Sequence, residues 1–527
     1  VGIMANKQIP RTMSTQHPDN VCIPTWCKGD VIQGDDEIYE AYIAFKEINC
    51  QEVMWDSEGK DVDTRVVRKL LNNYGDYFKE NILGEDVFLT YRIPNPRIEV
   101  TERKIIFETL ANIPVSADIA SSFYNKKVVP IFEVILPFTT DGKELVFLRN
   151  YYKRVIAGAE EIEISDKIKV KDWIGCFEPK NIEIIPLVED MKSLLTIDEI
   201  VSSYLNHANQ DYIRVFIARS DPALNYGLIS AIILTKISLS RLYSLQKKRG
   251  IKLYPIIGVG SMPFRGHLSV NNVEGFLDEY SGVYTVTIQS SLKYDNSIED
   301  VRRIVGKLNK SLPNKEPKII ESYKEKILIG ILEKFISRYQ SEVESLAPLI
   351  NSVSCYVPQR RARKLHIGLF GYSRNLGKTH LPRAIPFAAS FYSIGIPAEF
   401  IGLSILSELK DDEYNILRTY YKNMIKDLES VSCYVSWQNI NMLVSNYKQV
   451  AERANMSEDI LKDVLTKILS DLNTSESNLG IKLGPRNLTH RKYENATSNF
   501  LISYIEKDDK GAMKYLMEAA KIRRCLG

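Results

Sequence analysis

The chain has 527 residues, a formal net charge of +3, and 44% hydrophobic and 26% charged residues. That length leaves room for a large core and about two to four domains, although α/β barrels outgrow the usual domain size. The near-neutral balance argues against bulk binding to nucleic acid or membranes while leaving room for a local basic site.

No uninterrupted apolar run reaches about twenty residues, which predicts no transmembrane helix. The opening stretch VGIMANKQIPRTMS lacks the apolar centre of a signal peptide. The cysteines (Cys22, Cys27, Cys50, Cys176, Cys355, Cys433 and Cys525) are odd in number and scattered, with no CxxC pair. Neither a zinc ribbon nor a disulfide framework is expected, and a reducing cytoplasm suits them.

Residues 9–30 are rich in Pro, Thr, Asp and Asn and read as an irregular arm within a 1–50 N-terminal segment. Strand candidates follow at 52–56, 87–92, 129–136, 182–190, 212–221, 253–261, 284–291 and 365–373, separated by helix-compatible stretches. Eight such units predict a (β/α)8 TIM barrel over 51–404. A doubly wound open sheet, built from the same units, is the competing arrangement. The run IEIIPLVED at 182–190 is the fourth candidate. After Asp221, Leu228, Ile232, Leu239 and Leu242 recur at helical spacing, and Lys247, Lys248, Arg249 and Gly250 form a suitable helix end. The long connection at about 292–364 predicts a helical insertion between strands seven and eight, and 405–527 reads as a helical C-terminal region.

Barrel chemistry sits at the C-terminal ends of strands. Those ends supply Asp56, Arg92, Glu189 with Asp190, Arg219 with Asp221, Arg265, Gln289 and Arg374. Carboxylates suit a hard cation such as Mg²⁺ or Mn²⁺, and arginine forks suit phosphate and carboxylate. Together they describe a site for a small phosphorylated acid beside a metal. Asp221 precedes Pro222, which is also a good N-cap and N1 pair, so its spacing leaves capping and ligation both open. His17 in STQHPDN offers an imidazole for proton transfer near neutral pH. NLGKT at 375–379 is out of register for a phosphate loop, and Gly258-Val259-Gly260 lacks the third glycine of a dinucleotide fingerprint. The basic cluster RRARK at 360–364 reads as a solvated charged face.

MSTQHPDN, GSMPFRGHL and LPRAIPFAASFYSIGIPAEFIG together resemble archaeal-type phosphoenolpyruvate carboxylase, over essentially the whole length. Against the motifs of the larger enzymes of that name, TQHPDN is similar to the segment bearing the catalytic histidine and points to His17. LTYR resembles a strand ending in a substrate-binding arginine, which implies Arg92. PLVED implies Glu189 as a metal ligand, and ARSDPALNYG implies Asp221 as its partner. Leu224 stands where that motif carries a lysine, and Arg219 is the candidate replacement cation. GSMPFRGHL brings in Arg265, VTIQSS Gln289, GYSRNLG Arg374 and PRAIPF Arg383, while Gly527 resembles the family's terminal glycine.

The resemblance implies a carbon–carbon lyase that carboxylates phosphoenolpyruvate with bicarbonate through carboxyphosphate and a metal-bound enolate. His17, Arg265 and Arg374 would be catalytic, and Arg92, Arg219, Gln289 and Arg383 would hold substrate. Glu189 and Asp221 would bind Mg²⁺, for which Mn²⁺ can substitute. It further implies a cytoplasmic homotetramer with neither nucleic acid nor membrane as partner. A barrel lyase or aldolase making an enolate from an oxoacid, and a non-catalytic sensor of phosphorylated metabolites, are the alternatives.

Overall fold

The computed structural model describes residues 8–60, 62–362, 374–376 (backbone only) and 379–527. Eight parallel strands close into a barrel: β1 (Thr12–Ser14), β2 (Glu52–Asp56), β3 (Phe88–Arg92), β4 (Glu133–Leu136), β5 (Glu183–Val188), β6 (Tyr212–Ile217), β7 (Lys252–Ile257) and β8 (Thr285–Ile288). The TIM barrel is present, but one member of its ring differs from expectation. β1 lies inside the supposed arm and pairs with both β8 and β2, so it closes the sheet. The run at 365–373 lies outside the described residues, and the ring is complete without it. IEIIPLVED therefore supplies the fifth strand rather than the fourth. For the same reason the helical layer is not an insertion between strands seven and eight: Ile298–Ser311 and Ser322–Ser354 both follow the last strand.

The side-chain period of two explains the interior. Met13, Met54, Ile135, Ile185, Leu187, Phe216, Ala218 and Ile256 meet in one apolar cluster, while their strand neighbours Val53, Trp55, Val134, Ile184, Val188, Val215 and Ile217 join the larger core with the helical coat. Beneath the inner cluster lies a buried charged layer. Arg214 donates to Glu52 at 2.9 and 2.7 Å and to Glu133 at 2.8 Å, while Tyr212 donates to Glu133 at 2.8 Å. These polar positions share the inward parity of Met54, Ile135 and Phe216, so the ion triad occupies one rung of the barrel.

Helix α1 (Leu228–Arg249) ends at Gly250, whose left-handed φ of 69° and N–H bond to Gln246 match the expected C-cap. By length and hydropathy alone α1 would be long and apolar enough to cross a membrane, but 83% of its apolar window is buried inside the protein. Helix α2 (Ser322–Ser354) crosses from the barrel to the C-terminal helices, and α3 (Ala384–Ser393) lies behind the site. Helices continue from Asp411 to Arg523, as the charged C-terminal stretch predicted.

Candidate active site

The inward parity that fills the barrel also delivers the site. On β2 the series Glu52, Met54, Asp56 runs up the interior, and on β5 the series Ile185, Leu187 continues to Glu189 just beyond the strand. A cavity of about 90 Å³ opens at this C-terminal end, where His17, Asp56, Arg92, Glu189, Asp221 and Arg265 meet. Arg383, at the N-cap of α3, lines it from the opposite side, as do Glu58 and Lys60 from the loop after β2.

His17 follows β1 by three residues, and its Nδ1 lies 2.8 Å from Thr15 Oγ1, which leaves Nε2 for the cavity. The segment is braced from below, since Lys293 Nζ donates at 3.0 Å to both Ser14 Oγ and Thr15 O and at 2.9 Å to Glu40. Burial, then the charges of Lys60, Arg92 and Arg265, hold the His17 pKa well below its ordinary 6.5, so the imidazole is neutral and able to accept a proton.

Asp56 is the centre of a charged clamp. Arg92 grips it bidentately at 2.7 and 2.8 Å and reaches Glu58 at 2.9 Å, while Lys60 Nζ donates at 2.5 Å to Oδ2, which it shares with Arg92. Burial alone would raise the Asp56 pKa, but Arg92 and Lys60 outweigh it and keep the carboxylate ionised. Lys60 itself is pulled down to about 8, mainly by burial, against the opposing pull of Asp56.

Arg265 is fully buried and held by four partners. It donates to Ser220 Oγ at 3.2 Å, Asp19 at 3.1 Å and the Gly527 carbonyl at 2.7 Å, and it also bonds Gln289. Asp19 in turn accepts from the Ser291 N–H at 2.7 Å, so the arm, the loop after β7 and the end of β8 are locked around one guanidinium.

The other expected site residues take various places in the fold. Gln289 does not line the cavity; it orients Arg265. Arg219 also lies outside the cavity lining, donating to Tyr280 Oη at 3.2 Å and the Phe264 carbonyl at 3.3 Å, so it pins the loop that carries Arg265. Leu224 is wholly buried outside the cavity. Arg374 opens the short strand Arg374–Leu376, of which only the backbone is described. The two described arginines of the RRARK cluster are buried and not part of a solvated face: Arg360 donates to the Val21 carbonyl at 2.8 Å, and Arg361 grips Glu40 at 2.5 Å through both amino groups, while 363–364 lie outside the described residues. Strand-end parity accounts for Asp56 and Arg92, but Glu58 and Lys60 sit in an SEGK turn with no period to reveal them.

The two acids of IEIIPLVED separate in role. Asp190 caps the next helix by accepting from Ser193 N–H at 3.0 Å, whereas Glu189 lines the cavity. Asp221 lies in the first turn of Ser220–Tyr226, whose N-cap position is Arg219 and carries no side-chain cap bond. Asp221 is therefore not the N-cap residue, although an acid in the first turn also suits the helix N-terminus. Among the described residues no group of three His, Cys, Asp or Glu side chains gathers as a ready-made metal cage. Two carboxylates beside a polar cavity nevertheless fit Mg²⁺, which keeps waters and substrate oxygens in most of its positions.

Comparison with known proteins agrees with this arrangement. A family profile described as phosphoenolpyruvate carboxylase matches residues 9–527. The chain is 47% identical over 521 residues to a phosphoenolpyruvate carboxylase of Metallosphaera sedula, covering 99% of this chain and 100% of the relative. The enzyme of that name from Caldivirga maquilingensis is 46% identical over 519 residues, 98% and 99% of the two chains. That from Picrophilus torridus is 43% identical over 530 residues, 99% and 100%. Matched from the first barrel strand to Gly527, the chain belongs to the phosphoenolpyruvate carboxylase family, in its archaeal-type branch.

Proposed function

We propose that the chain carboxylates phosphoenolpyruvate with bicarbonate, giving oxaloacetate and phosphate. The observation that carries this reading is the meeting of a neutral histidine, cavity-lining arginines and the carboxylates Glu189 and Asp221 in one barrel-mouth cavity. A bicarbonate oxygen attacks the phosphorus of phosphoenolpyruvate, the bond from phosphorus to the enol oxygen breaks, and carboxyphosphate and the enolate of pyruvate result. Arg92, Arg265 and Arg383 hold the phosphoryl oxygens and spread their charge through the transfer. Arg374 joins them in this reading as a further catalytic cation.

His17 Nε2 then takes the carboxyl proton of carboxyphosphate. Its carbon–oxygen bond to phosphate breaks, CO2 is released, and C3 of the enolate attacks it to form oxaloacetate. Glu189 and Asp221 are the residues that would hold Mg²⁺, or Mn²⁺ in its place. Such a cation supplies positive charge for the developing enolate oxygen. The Thr15–Asn20 segment, locked by Lys293 and Arg265, covers the site and limits access of water that would protonate the enolate to pyruvate.

The reading includes a cytoplasmic homotetramer. Phe107 and Phe147, 48% and 70% exposed, line an apolar groove of about 520 Å³ on the outer wall, a surface of the kind that assembly covers. Sedimentation of the purified protein tests that assembly.

One assay tests the reaction. With phosphoenolpyruvate, bicarbonate, Mg²⁺ and malate dehydrogenase, the carboxylase consumes NADH. A barrel lyase or aldolase, which needs an oxoacid or acyl ester as its substrate, leaves NADH unchanged in this mixture, as does a sensor, and either result overturns the proposal.

A further inference from the structure

Phe138 lines the active-site cavity from the turn after β4, where strand alternation alone would not bring it. Ile135 faces the barrel interior and Leu136 the helical coat, so continued alternation would send position 138 to the coat. The turn at Pro137 and Phe138 breaks that alternation, with Phe138 at φ 53° in the left-handed region. Glycine adopts this conformation readily, whereas a bulky side chain there is an outlier. A turn required only to redirect the chain would be served by glycine; this one holds an aromatic ring against the strain.

Such strain persists where the surroundings over-determine it, and here the turn is tied from several sides. Asn95 Nδ2 donates to the Pro137 carbonyl at 2.8 Å, and Arg97 Nη2 to the Phe138 carbonyl at 3.0 Å. The Thr139 N–H donates to the Leu187 carbonyl at 3.0 Å, and its hydroxyl to the Leu136 carbonyl at 2.8 Å. Leu187 precedes Glu189 by two residues on β5, so the turn is fixed to the wall that carries Glu189. Among the described residues lining the cavity, Pro18, Phe138, Ala384 and Ile385 are apolar. Pro18 comes from the arm and the last two from α3, which leaves Phe138 as the apolar group on the β4–β5 side.

The arginines and carboxylates of the cavity serve the phosphoryl group and the enolate oxygen. C3 of the enolate has a different requirement: it needs an apolar neighbour that offers it no proton. We infer that Phe138 is the wall that shields C3, so that this carbon meets CO2 instead of water. In carboxylation C3 forms a carbon–carbon bond to CO2. In the competing reaction C3 takes a proton from water, hydroxide is left, and pyruvate results. The inference rests on the carboxylase reading above and assigns the choice between the two products to one residue.

The test is the ratio of pyruvate to oxaloacetate formed by full-length Phe138→Ala, Phe138→Gly and Phe138→Leu from phosphoenolpyruvate, bicarbonate and Mg²⁺. Lactate and malate dehydrogenases read the two products. Loss of the ring should raise the ratio by about tenfold in Phe138→Ala. Phe138→Gly should behave alike, and because glycine suits a φ of 53° it decides the matter should Phe138→Ala not fold. Phe138→Leu keeps apolar bulk at the wall and should stay within about threefold of the wild-type ratio. A merely structural role for the turn would lower Tm and both products together at the wild-type ratio, which overturns the inference. So does a ratio in Phe138→Leu as high as that in Phe138→Ala. The acid limb of oxaloacetate formation should keep its wild-type position in all three variants; a moved limb would place the effect at His17 and refute the shielding role. A wild-type enzyme that forms no oxaloacetate would instead sink the carboxylase reading, which keeps the two failures distinct.

Discussion

At the scale of single residues, the site works by holding charged groups in states they would not keep in water. His17 is the clearest case, because burial and three nearby cations all disfavour its protonated form. Its activity as a base therefore survives below pH 6.5, the ordinary histidine value, and the acid limb of kcat/KM for oxaloacetate formation is expected below that pH. The sign is fixed by the lowered pKa: acid must be stronger than usual before the imidazole is lost as a base. His17→Asn should abolish that limb and cut oxaloacetate formation by about 10²–10⁴-fold. Bicarbonate-dependent phosphate release should persist, with pyruvate as the carbon product. Oxaloacetate at the wild-type rate would remove His17 from the proton-transfer step.

At the scale of elements, two buried ionic contacts tie strands and helices together, and they respond differently to change. The triad of Arg214, Glu52 and Glu133 links β6, β2 and β4 across the barrel. Arg214→Met leaves two carboxylates facing one another without their cation, at a cost of about 3–5 kcal/mol in urea unfolding. Adding Glu52→Leu and Glu133→Leu should recover most of that loss, because removing all three charges also removes their desolvation.

The second contact joins α2 to α4 (Glu458–Leu479). Asp471 accepts N–H bonds from Gly402 and Ser404 at 2.8 and 2.7 Å, and Glu342 of α2 lies against it. Burial first, then Asp471, pushes the Glu342 pKa up to about 9, outweighing Arg338, so the folded protein keeps a proton that an unfolded chain releases near 4.5. The folded state thus binds more protons between those values, and stability falls as pH rises from about 4.5 to about 9. Glu342→Gln should flatten that slope in urea melts across this window and make the variant more stable than wild type at its alkaline end. A slope equal to that of wild type would show that Glu342 is ionised in the fold.

At the scale of the whole molecule, the site is assembled from segments far apart in the sequence. Asp19 and Gly527 share the guanidinium of Arg265, and the Leu526 N–H donates to the Asp19 carbonyl at 2.8 Å. Gly527 packs so closely on α3 that a Cβ there would stand 2.3 Å from the Ile385 carbonyl oxygen and 2.6 Å from the Ala389 nitrogen. Both obstacles are backbone, so they cannot rotate aside. Gly527→Ala should therefore displace the terminal residues, loosen Arg265 and lower kcat by on the order of 100-fold, the scale of losing a transition-state donor. Tm should change little, since most of the core is untouched. Wild-type kcat in that variant would show that Arg265 is positioned without Gly527.

Much of this was legible in the residues alone. Apolar runs such as EVMWD and YIRVFI appear as β2 and β6 within the expected spans because continuous burial on both faces leaves a mark on composition. Their terminal charges were readable for the same reason: Asp56 and Arg92 follow the inward parity of their strands, and Glu189 continues that of β5. Thr12–Ser14 carries no such mark, because three residues hold neither a period nor an apolar run, and only pairing with β8 and β2 makes them a strand. Nor could composition tell Arg265, which lines the cavity, from Arg219, which supports the loop beneath it. The sequence by itself determined the barrel class and the carboxylates, histidine and arginines from which a site could be built. Tertiary structure alone decided how the ring closes, which cations face the cavity and that Lys60 stands among them, because these depend on contacts between segments far apart in the chain.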